Sequence, residues 1–349
     1  LIFAQQSDYQ SRLIQGNTFN ETAFSIWMGN SGAGTLGKKL QILDNTFYND
    51  GYGGIFLIDH HSAIIDHNDI RVGTYGVDVT GIDDTLQITY NRINVEYGGL
   101  DLNSCSGTAD LPGIIANNFI YSRNGIADIS TGIKLTNSTY QQILYNSVSL
   151  KNAYFNTEAL NIGYGNSHLT VLNNNFAQLD GGLVYTITSL NAFDVLDYNN
   201  LYTPGNNIAI WGTTRVIHLK DLQSISGWEQ HSLAVYPHYA TESDLHTVAP
   251  WLNGRGIPIP AQPLDIDGQP RDNITPDIGA DEFTPDPQTT VPMIGDYDIG
   301  GVLYPTIQSA VDDIVLKGVR GAVNFILEGT YNEQVNIVSI PGANSRQPV

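Results

Sequence analysis

Apolar and polar residues alternate in short runs along residues 17–201, and turns rich in asparagine and glycine separate the runs. Eight times an asparagine is followed two positions later by an apolar residue, and an aliphatic residue usually stands three positions before it. Alternation with a period of two predicts a short strand on each side of every asparagine. The repeated asparagines are Asn17, Asn45, Asn68, Asn91, Asn117, Asn146, Asn174 and Asn199.

In many repeats a glycine is followed by a second alternating run, which predicts a further strand. These glycines are Gly54, Gly76, Gly99, Gly125 and Gly182. The asparagines recur about every 26 residues, and a period of this length is typical of stacked repeat units. No helical period lies between the strands, so the pattern predicts an all-β parallel β-helix whose coils lie about 4.8 Å apart. Equivalent asparagines would then form a hydrogen-bonded ladder, which makes them structural residues rather than ligands.

The pattern changes after Leu201. Residues 207–211 predict a last strand, residues 218–223 predict a short helix, and residues 227–283 are proline-rich and irregular. We expect this last region to lie along the rod and cover part of it. It ends in two distinctive phrases, Asp-Ile-Asp-Gly-Gln-Pro-Arg at residues 265–271 and Pro-Asp-Ile-Gly-Ala-Asp-Glu at residues 276–282.

These phrases and the asparagine repeats resemble those of secreted bacterial right-handed parallel β-helix proteins of the pectate-lyase-like superfamily, whose rods often close in this way. The resemblance covers residues 10–283. It implies a right-handed β-helix at the cell surface or in the extracellular space of a bacterium, and it implies no particular activity.

The remaining residues predict a second unit. Residues 284–292 have the composition of an extended linker, residues 304–314 have a helical period, and residues 322–335 predict strands around a Gly-Thr-Tyr-Asn-Glu phrase. This order resembles the opening of a second β-helix of the pectin-esterase and pectate-lyase-like kind. We therefore predict a β-helix with its closing segment over residues 1–283, a linker over 284–292, and the truncated start of a second β-helix over 293–349. We expect the chain to be a piece of a longer multidomain protein.

The composition of the chain narrows the classes of partner that it is expected to bind. The chain has 35 acidic residues against 15 lysines and arginines, a formal net charge of −20. Nucleic acids and anionic membranes need a basic surface, so neither is an expected partner. The single cysteine, Cys105, excludes an internal disulfide and is expected to be a small buried residue. No run of residues is long and apolar enough to predict a membrane span.

The candidate chemistry lies on two consecutive coils. If Gly76 and Gly99 open equivalent strands, Asp78 and Asp101 stack about one strand spacing apart, with Thr80 and Asn103 beside them. Three interpretations stay open: a solvated polar stripe, a calcium site that relieves the repulsion between the carboxylates, and the nucleophile and acid of a retaining glycosidase. Thr80 and Asn103 are candidate substrate-binding residues.

Other clusters are less specific. An exposed Trp211 would offer a platform for a sugar ring. The histidines of Asp59-His60-His61 and Asp66-His67 have no fixed metal-ligand spacing, so surface turns are favoured there. The acidic residues of the closing segment suit either calcium or Asp-Gly turns.

We therefore predict a monomeric extracellular or cell-surface rod that is structural or binds a polysaccharide or cell-surface glycan. The alternative is a polysaccharide lyase or glycoside hydrolase that acts on an acidic plant or algal polysaccharide, with calcium as its candidate cofactor.

Overall fold

The chain folds into a right-handed parallel β-helix, seen in a computed structural model. The structure describes residues 2–5, 11–20, 24–29, 39–49, 51, 53–122, 131–151, 157–327 and 329–343. The strands of the rod and its short helix are β1 (Ile2–Gln5), β2 (Arg12–Gln15), β3 (Thr18–Asn20), β4 (Phe24–Gly29), β5 (Leu40–Leu43), β6 (Thr46–Asn49), β7 (Gly53–Asp66), β8 (Asp69–Val72), β9 (Tyr75–Thr89), β10 (Arg92–Val95), β11 (Gly98–Asn103), β12 (Gly113–Ala116), β13 (Phe119–Ser122), β14 (Thr131–Thr136), β15 (Gln141–Leu144), β16 (Ser147–Leu150), β17 (Glu158–Ile162), β18 (Leu169–Leu172), β19 (Asn175–Gln178), β20 (Leu183–Ile187), β21 (Phe193–Asp197), β22 (Asn200–Tyr202), β23 (Ala209–Trp211), β24 (Thr214–Val216) and α1 (Leu219–Ser226).

Two sheets form the faces of the rod within the described residues. An eight-stranded sheet contains the strand that follows each repeated asparagine, from β3 to β22. A sixteen-stranded sheet forms the other two faces, which are continuous because β7 and β9 run through the corner without a break. All pairings along the rod are parallel except that of β23 with β24, so the predicted fold class is confirmed.

The asparagine ladder is present and continuous. Asn146 shows its pattern: its backbone N–H and its amide both donate to Oδ1 of Asn174, at 2.9 and 3.0 Å. Its amide also reaches the carbonyls of Ile115 and Leu144. The ladder therefore satisfies buried backbone groups at every turn of the coil. Its members are Asn17, Asn45, Asn68, Asn91, Asn118, Asn146, Asn174 and Asn199.

One prediction in the ladder is wrong: the member in the fifth coil is Asn118, not Asn117. Asn91 donates to Oδ1 of Asn118, and Arg92 pairs with Phe119 across the strands. The sequence is ambiguous here because both asparagines have an apolar residue two positions later. A slip of one residue exchanges the two faces of a strand, so Ile120 rather than Phe119 fills the rod.

The residue before each ladder asparagine has a left-handed backbone, which turns the chain at the corner of the coil. This position is taken by Gly16, Asp44, His67, Tyr90, Asn117, Tyr145, Asn173 and Tyr198, with φ between 51° and 67°. Left-handed φ is uncommon for tyrosine, so the ladder holds the turn in place against residue preference. The predicted surface role of His67 is explained by this turn, where its ring stacks on that of Tyr90 at 4.8 Å.

The glycines of the third face also stack. A Cβ on Gly54 would lie 2.6 Å from the carbonyl oxygen of Gly76, and one on Gly99 would lie 2.4 Å from that of Gly132. In the fifth coil the strand is β14, which contains Gly132; the predicted strand at Gly125 and Ile126 falls outside the described residues. The predicted last strand and short helix are present as β23 and α1.

Aliphatic and aromatic side chains fill the rod in one continuous core. Cys105 belongs to it, as predicted, and burial raises the pKa of its thiol to about 12. Trp211 is also in this core, 6% exposed and stacked on Phe193 with ring centroids 6.2 Å apart. Trp211 is therefore no sugar platform, and its selection as one is wrong, because the last strand places its ring inside the final coil.

The ladder ends on a buried carboxyl group. Asn199 donates its amide to Glu229 and its backbone N–H to Ser232, while the hydroxyl of Tyr185 donates to Glu229 at 2.7 Å. Burial is the largest influence on Glu229 and raises its pKa to about 7, against the opposite effect of hydrogen bonds from Ser232, Tyr185 and Asn199. The carboxyl group of Glu229, whose raised pKa favours its protonated form, thus forms the end of the ladder.

We expect Glu229→Gln to reduce the pH dependence of stability. Between the ordinary glutamate pKa near 4.5 and about 7, the folded chain keeps a proton that the unfolded chain loses, so stability falls as pH rises. The slope from this group is at most about 1.4 kcal/mol per pH unit. In urea unfolding from acid to neutral pH, the free energy of unfolding of the variant relative to the wild type should rise up to about pH 7 and stay constant above it. Exposed Asp110→Asn is the control, and parallel curves for Glu229→Gln and the wild type would contradict the assignment.

The closing segment, residues 227–283, covers part of the eight-stranded sheet, from β13 to β19, as expected. It also covers the neighbouring left-handed residues Asn117, Tyr145 and Asn173, which we call the turn column. Leu245, Ile266 and Ala280 pack on Phe119 and Tyr121. Gly279 has φ 110°, and a Cβ there would lie 2.9 Å from Oγ of Ser147, so the segment touches the sheet closely. The face that contains β9, β11 and β14 is on another side of the rod.

Residues 293–343 build a smaller unit with its own core. Strand β25 (Met293–Ile299) pairs in parallel with β26 (Val319–Leu327), and α2 (Ile307–Lys317) packs against them. Tyr236 of the closing segment contacts this core. The predicted helix and the strand after it are present as α2 and β26, but β25 precedes the helix without having been predicted, and among the described residues no strand follows Leu327, where strands were expected up to residue 335. Assignment of this unit to a second β-helix stays a prediction.

Candidate functional site

Asp78 and Asp101 are stacked on neighbouring strands. They are direct partners in the register of β9 and β11, and Val77 and Val79 on either side of Asp78 are buried. Thr80 and Asn103 are partners in the same register two residues further on, and both are partly exposed. The stacking expected from the glycines is therefore present.

A lysine completes the column. Lys134 on β14 is the register partner of Asp101, although 33 residues separate them in the chain. Its ammonium group donates to Oδ2 of Asp101 at 2.7 Å, and the Asp101 side chain is 18% exposed. A charge-assisted hydrogen bond at this depth is stronger than an exposed ion pair.

Asp78 and Asp101 consequently have different surroundings. Burial is the main reason that the pKa of Asp78 rises, to about 6, and the charge of Asp101 adds to the effect while Lys134 opposes it. Asp101 has the ammonium group as a direct partner and Asp78 does not. A carboxyl group with a raised pKa beside a second carboxyl group in different surroundings is an arrangement that can support acid catalysis.

Two tyrosines enclose a cleft beside this column. Tyr75 and Tyr97 line it together with Gly98, Asp101, Thr131 and Lys134, and its volume is about 280 Å³. The ring of Tyr75 lies across Gly98 so closely that a Cβ there would come within 2.6 Å of Cδ1. Gly98 therefore lets the aromatic ring lie flat against the sheet next to the charged pair.

Polar residues follow on the next coil, where Asn161 continues the column of Asp78, Asp101 and Lys134. Glu158 pairs with Thr131 and Asn161 pairs with Lys134 in the register of β17. Oε2 of Glu158 accepts a hydrogen bond from the Asn161 amide at 2.6 Å, and burial raises the pKa of Glu158. The polar surface thus extends along the rod, beyond the two coils that the sequence pointed to.

The argument for calcium at Asp78 and Asp101 changes with Lys134. Calcium is one of the three interpretations because stacked carboxylates repel each other without a cation, and the ammonium group supplies that positive charge. Among the described residues, the one group of three or more close potential metal ligands lies elsewhere, at His246, Asp267 and Asp281. A calcium site at Asp78 and Asp101 stays a prediction.

Sequence reasoning missed Lys134, Tyr75 and Tyr97. Tyr75 was within reach, because it stands directly before a glycine that opens a strand. Lys134 was not, because 33 residues separate it from Asp101, and the glycine taken as its marker was Gly125 rather than Gly132. The other predicted histidine cluster forms local contacts: Nδ1 of His61 lies 2.7 Å from Asp83, and His60 is buried near the carbonyl of Met28.

Asp265 and Asp277 have structural roles in the closing segment. Asp265 is buried and accepts the backbone N–H groups of Asp267, Gln269 and Glu282. Asp277 accepts those of Gly254 and Phe283, at 2.6 and 2.8 Å. The self-bonded turn expected as an alternative to calcium accounts for Asp265, whereas Asp277 joins two separate stretches of the segment.

Comparison with known proteins agrees with this architecture. Residues 2–111 match the family model described as the right handed beta helix region. No curated protein and no solved structure matches the chain. The match and the stacked coils together support a right-handed β-helix repeat architecture.

Proposed function

We propose that the protein is a rod that binds a polysaccharide in the cleft between Tyr75, Tyr97 and Lys134. The observation that carries the proposal is that two aromatic rings and a charged hydrogen-bonding pair share one cleft on a regular sheet. Aromatic faces suit the apolar faces of sugar rings, and a few fixed polar groups orient a ligand. A cleft of about 280 Å³ is small, so a bound polymer would place only a short stretch in it and run onward along the face.

The charge of the site favours a neutral polysaccharide. The chain carries a formal charge of −20, and the ammonium group of Lys134 is already engaged by Asp101. A polyuronate would be repelled by the protein as a whole and would find no uncommitted cation among the residues that line the cleft. This argues against lysis of an acidic polysaccharide, which needs a base next to a neutralised uronate.

Part of the proposal concerns the setting. An exported, cell-surface position and a monomeric rod within a longer chain are supported by the likeness of the closing segment to those of secreted bacterial rods. In the described part of the chain, the helices are too short to cross a membrane.

Hydrolysis of a glycan is the second candidate, and the raised pKa of Asp78 favours it. Near pH 6 Asp78 would still carry a proton to donate, while the neighbouring Asp101 carboxylate lies about one strand spacing away. Retaining glycosidases place an acid and a nucleophile at about this separation. The hydrogen bond from Lys134 to Asp101 would have to open before that carboxylate could attack.

We expect Tyr75→Ala to weaken glycan binding about tenfold, a loss near 1.4 kcal/mol, because the variant lacks the aromatic face beside the charged pair. Isothermal titration with soluble neutral β-glucan, xylan, mannan, pectate and alginate measures it. Tyr75→Phe should retain binding. The matched control is Tyr48→Ala: Tyr48 is 46% exposed against 37% for Tyr75 but lies on the eight-stranded sheet.

Equal losses in the two alanine variants, or no binding to any glycan, would refute the proposal. Tighter binding to pectate than to the neutral glycans would refute the argument from charge. The same mixtures should be assayed for new chain ends, since their appearance would make hydrolysis the better description of the site.

A further inference from the structure

Three potential metal ligands of the closing segment meet beside strand β10, away from the cleft. They are His246, Asp267 and Asp281, and one ligand atom from each lies within 4.8 Å of the others. His246 comes from one loop, whereas Asp267 and Asp281 come from the two distinctive phrases that end the segment. The chain therefore brings together one imidazole and two carboxylates that are distant in sequence.

Each of the three side chains is held by a further group. Nδ1 of His246 is hydrogen-bonded to Asp244, and Oδ1 of Asp267 accepts from Arg92 at 2.8 Å. Oδ2 of Asp281 accepts the backbone N–H of Thr247 at 3.0 Å. Supporting contacts of this kind orient metal ligands and fix the tautomer of a ligating histidine.

These contacts leave one atom of each side chain turned to the common centre. Nε2 of His246 lies 2.5 Å from Oδ2 of Asp267. Asp281 is only 4% exposed, and its second oxygen has no hydrogen-bond partner among the described residues. A nearly buried carboxylate with one oxygen unused can serve as a metal ligand.

The charges around the centre are unbalanced. Three carboxylates, those of Asp244, Asp267 and Asp281, face two basic groups: Arg92, which is bound to the outer oxygen of Asp267, and His246, whose ring nitrogens lie against Asp244 and Asp267. A metal ion at Nε2 of His246 would displace the proton that this nitrogen shares with Asp267. The ring of Phe119 closes one side, with its centroid 5.1 Å from that of His246 and the planes at 87°. An apolar wall beside a cluster of acids strengthens its attraction for a cation.

The ligand set selects the class of metal. Calcium and magnesium prefer all-oxygen sites, whereas an imidazole with two carboxylates suits zinc and similar divalent transition metals. Tetrahedral zinc would draw the three ligand atoms to roughly 3.3 Å from one another, with water as the fourth ligand. A pair at the present limit of 4.8 Å would have to close by about 1.5 Å, and the 2.5 Å contact between His246 and Asp267 would have to open by about 0.8 Å.

We propose that His246, Asp267 and Asp281 form a structural zinc site that fastens the two distinctive phrases of the closing segment to each other. Through Arg92 on β10, the same site is tied to the rod. This site is independent of the proposed glycan cleft, so either proposal can fail without the other.

Zinc titration of the full chain, stripped with chelator and followed by calorimetry at neutral pH, tests the site. We expect one zinc ion per chain, a higher melting temperature with zinc, and loss of both effects in His246→Gln. Asp244→Asn should weaken binding about 10–100-fold, since it removes only the orienting contact. His61→Gln is the matched control, because His61 also lies within 4.0 Å of two carboxylates, at 2.7 Å from Asp83 and 3.6 Å from Asp84.

Several results would overturn the site. They are no saturable zinc binding by the wild type, unchanged affinity in His246→Gln, and a loss in His61→Gln as large as that in His246→Gln. Calcium bound as tightly as zinc would overturn the choice of metal. If circular dichroism shows that His246→Gln is unfolded, Asp267→Asn decides instead, since its amide can still accept the hydrogen bond from Arg92.

Discussion

Replacing Asn146 by alanine is expected to lower the free energy of unfolding by about 3–5 kcal/mol. The side chain donates to Asn174, Ile115 and Leu144, and its oxygen accepts the backbone and amide N–H groups of Asn118 at 3.1 and 2.9 Å. Alanine leaves these groups buried without partners and breaks the ladder in its middle. Urea unfolding followed by circular dichroism measures the loss.

Asn17→Ala is the matched control for this prediction. Asn17 is the same residue type in the same ladder, but it is exposed at the end and its amide donates only to Gln15 and Asn45. We expect a loss of about 1 kcal/mol or less there. If the two variants are equally stable, the ladder's value lies in its shape rather than in its buried hydrogen bonds.

Replacing Arg271 by alanine is expected to release the closing segment from the rod, at a cost of about 3–5 kcal/mol. Arg271 is 5% exposed, and its guanidinium lies 3.9 Å above the ring centre of Tyr145. It donates to Oδ1 of Asn117 at 2.9 Å and to two carbonyls of the segment itself, those of Gly279 and Ala280. In the variant the partly buried Glu282 would lose its ion pair. The ring of Tyr145 in the turn column would also lose the guanidinium group that covers it.

Limited proteolysis distinguishes release of the segment from collapse of the rod. We expect cleavage within residues 227–283 to become faster while the rod remains intact to denaturing electrophoresis. Arg255→Ala supplies the comparison, because Arg255 is an exposed arginine in the same segment. Cleavage that is equally fast in both variants would show that Arg271 does not hold the segment.

The closing segment also gives the rod two unlike sides. The segment covers part of the eight-stranded sheet, where it contacts Phe119 and Asn175, and it covers Tyr145 of the turn column. The face of β9, β11 and β14 carries the cleft instead. Ligand binding is therefore expected on a different side of the rod from the closing segment. Variants of Arg271 should accordingly leave glycan affinity unchanged.

The repeat pattern by itself determined the architecture. Period-two alternation and asparagines about 26 residues apart leave stacked parallel coils as the way to bury the apolar face and pair the backbone, because each coil offers its neighbour the same edge. The stacking of Asp78 on Asp101 followed for the same reason, since two consecutive coils of 23 residues keep one register. The burial of Cys105 and the position of α1 could also be predicted from local pattern.

Only the tertiary structure decided what those carboxylates face. Coil length changes to 33 residues between Asp101 and Lys134, so counting along the chain loses the register that the sheet itself restores. Local pattern also could not choose between Asn117 and Asn118 as the ladder member, and it could not show that the ring of Trp211 lies inside the rod. His246, Asp267 and Asp281 lie in an irregular segment with no period, where loop closure alone sets their distances. Repetition fixes a fold from local pattern, whereas charge pairing and metal-ligand geometry depend on which coils and loops finally touch.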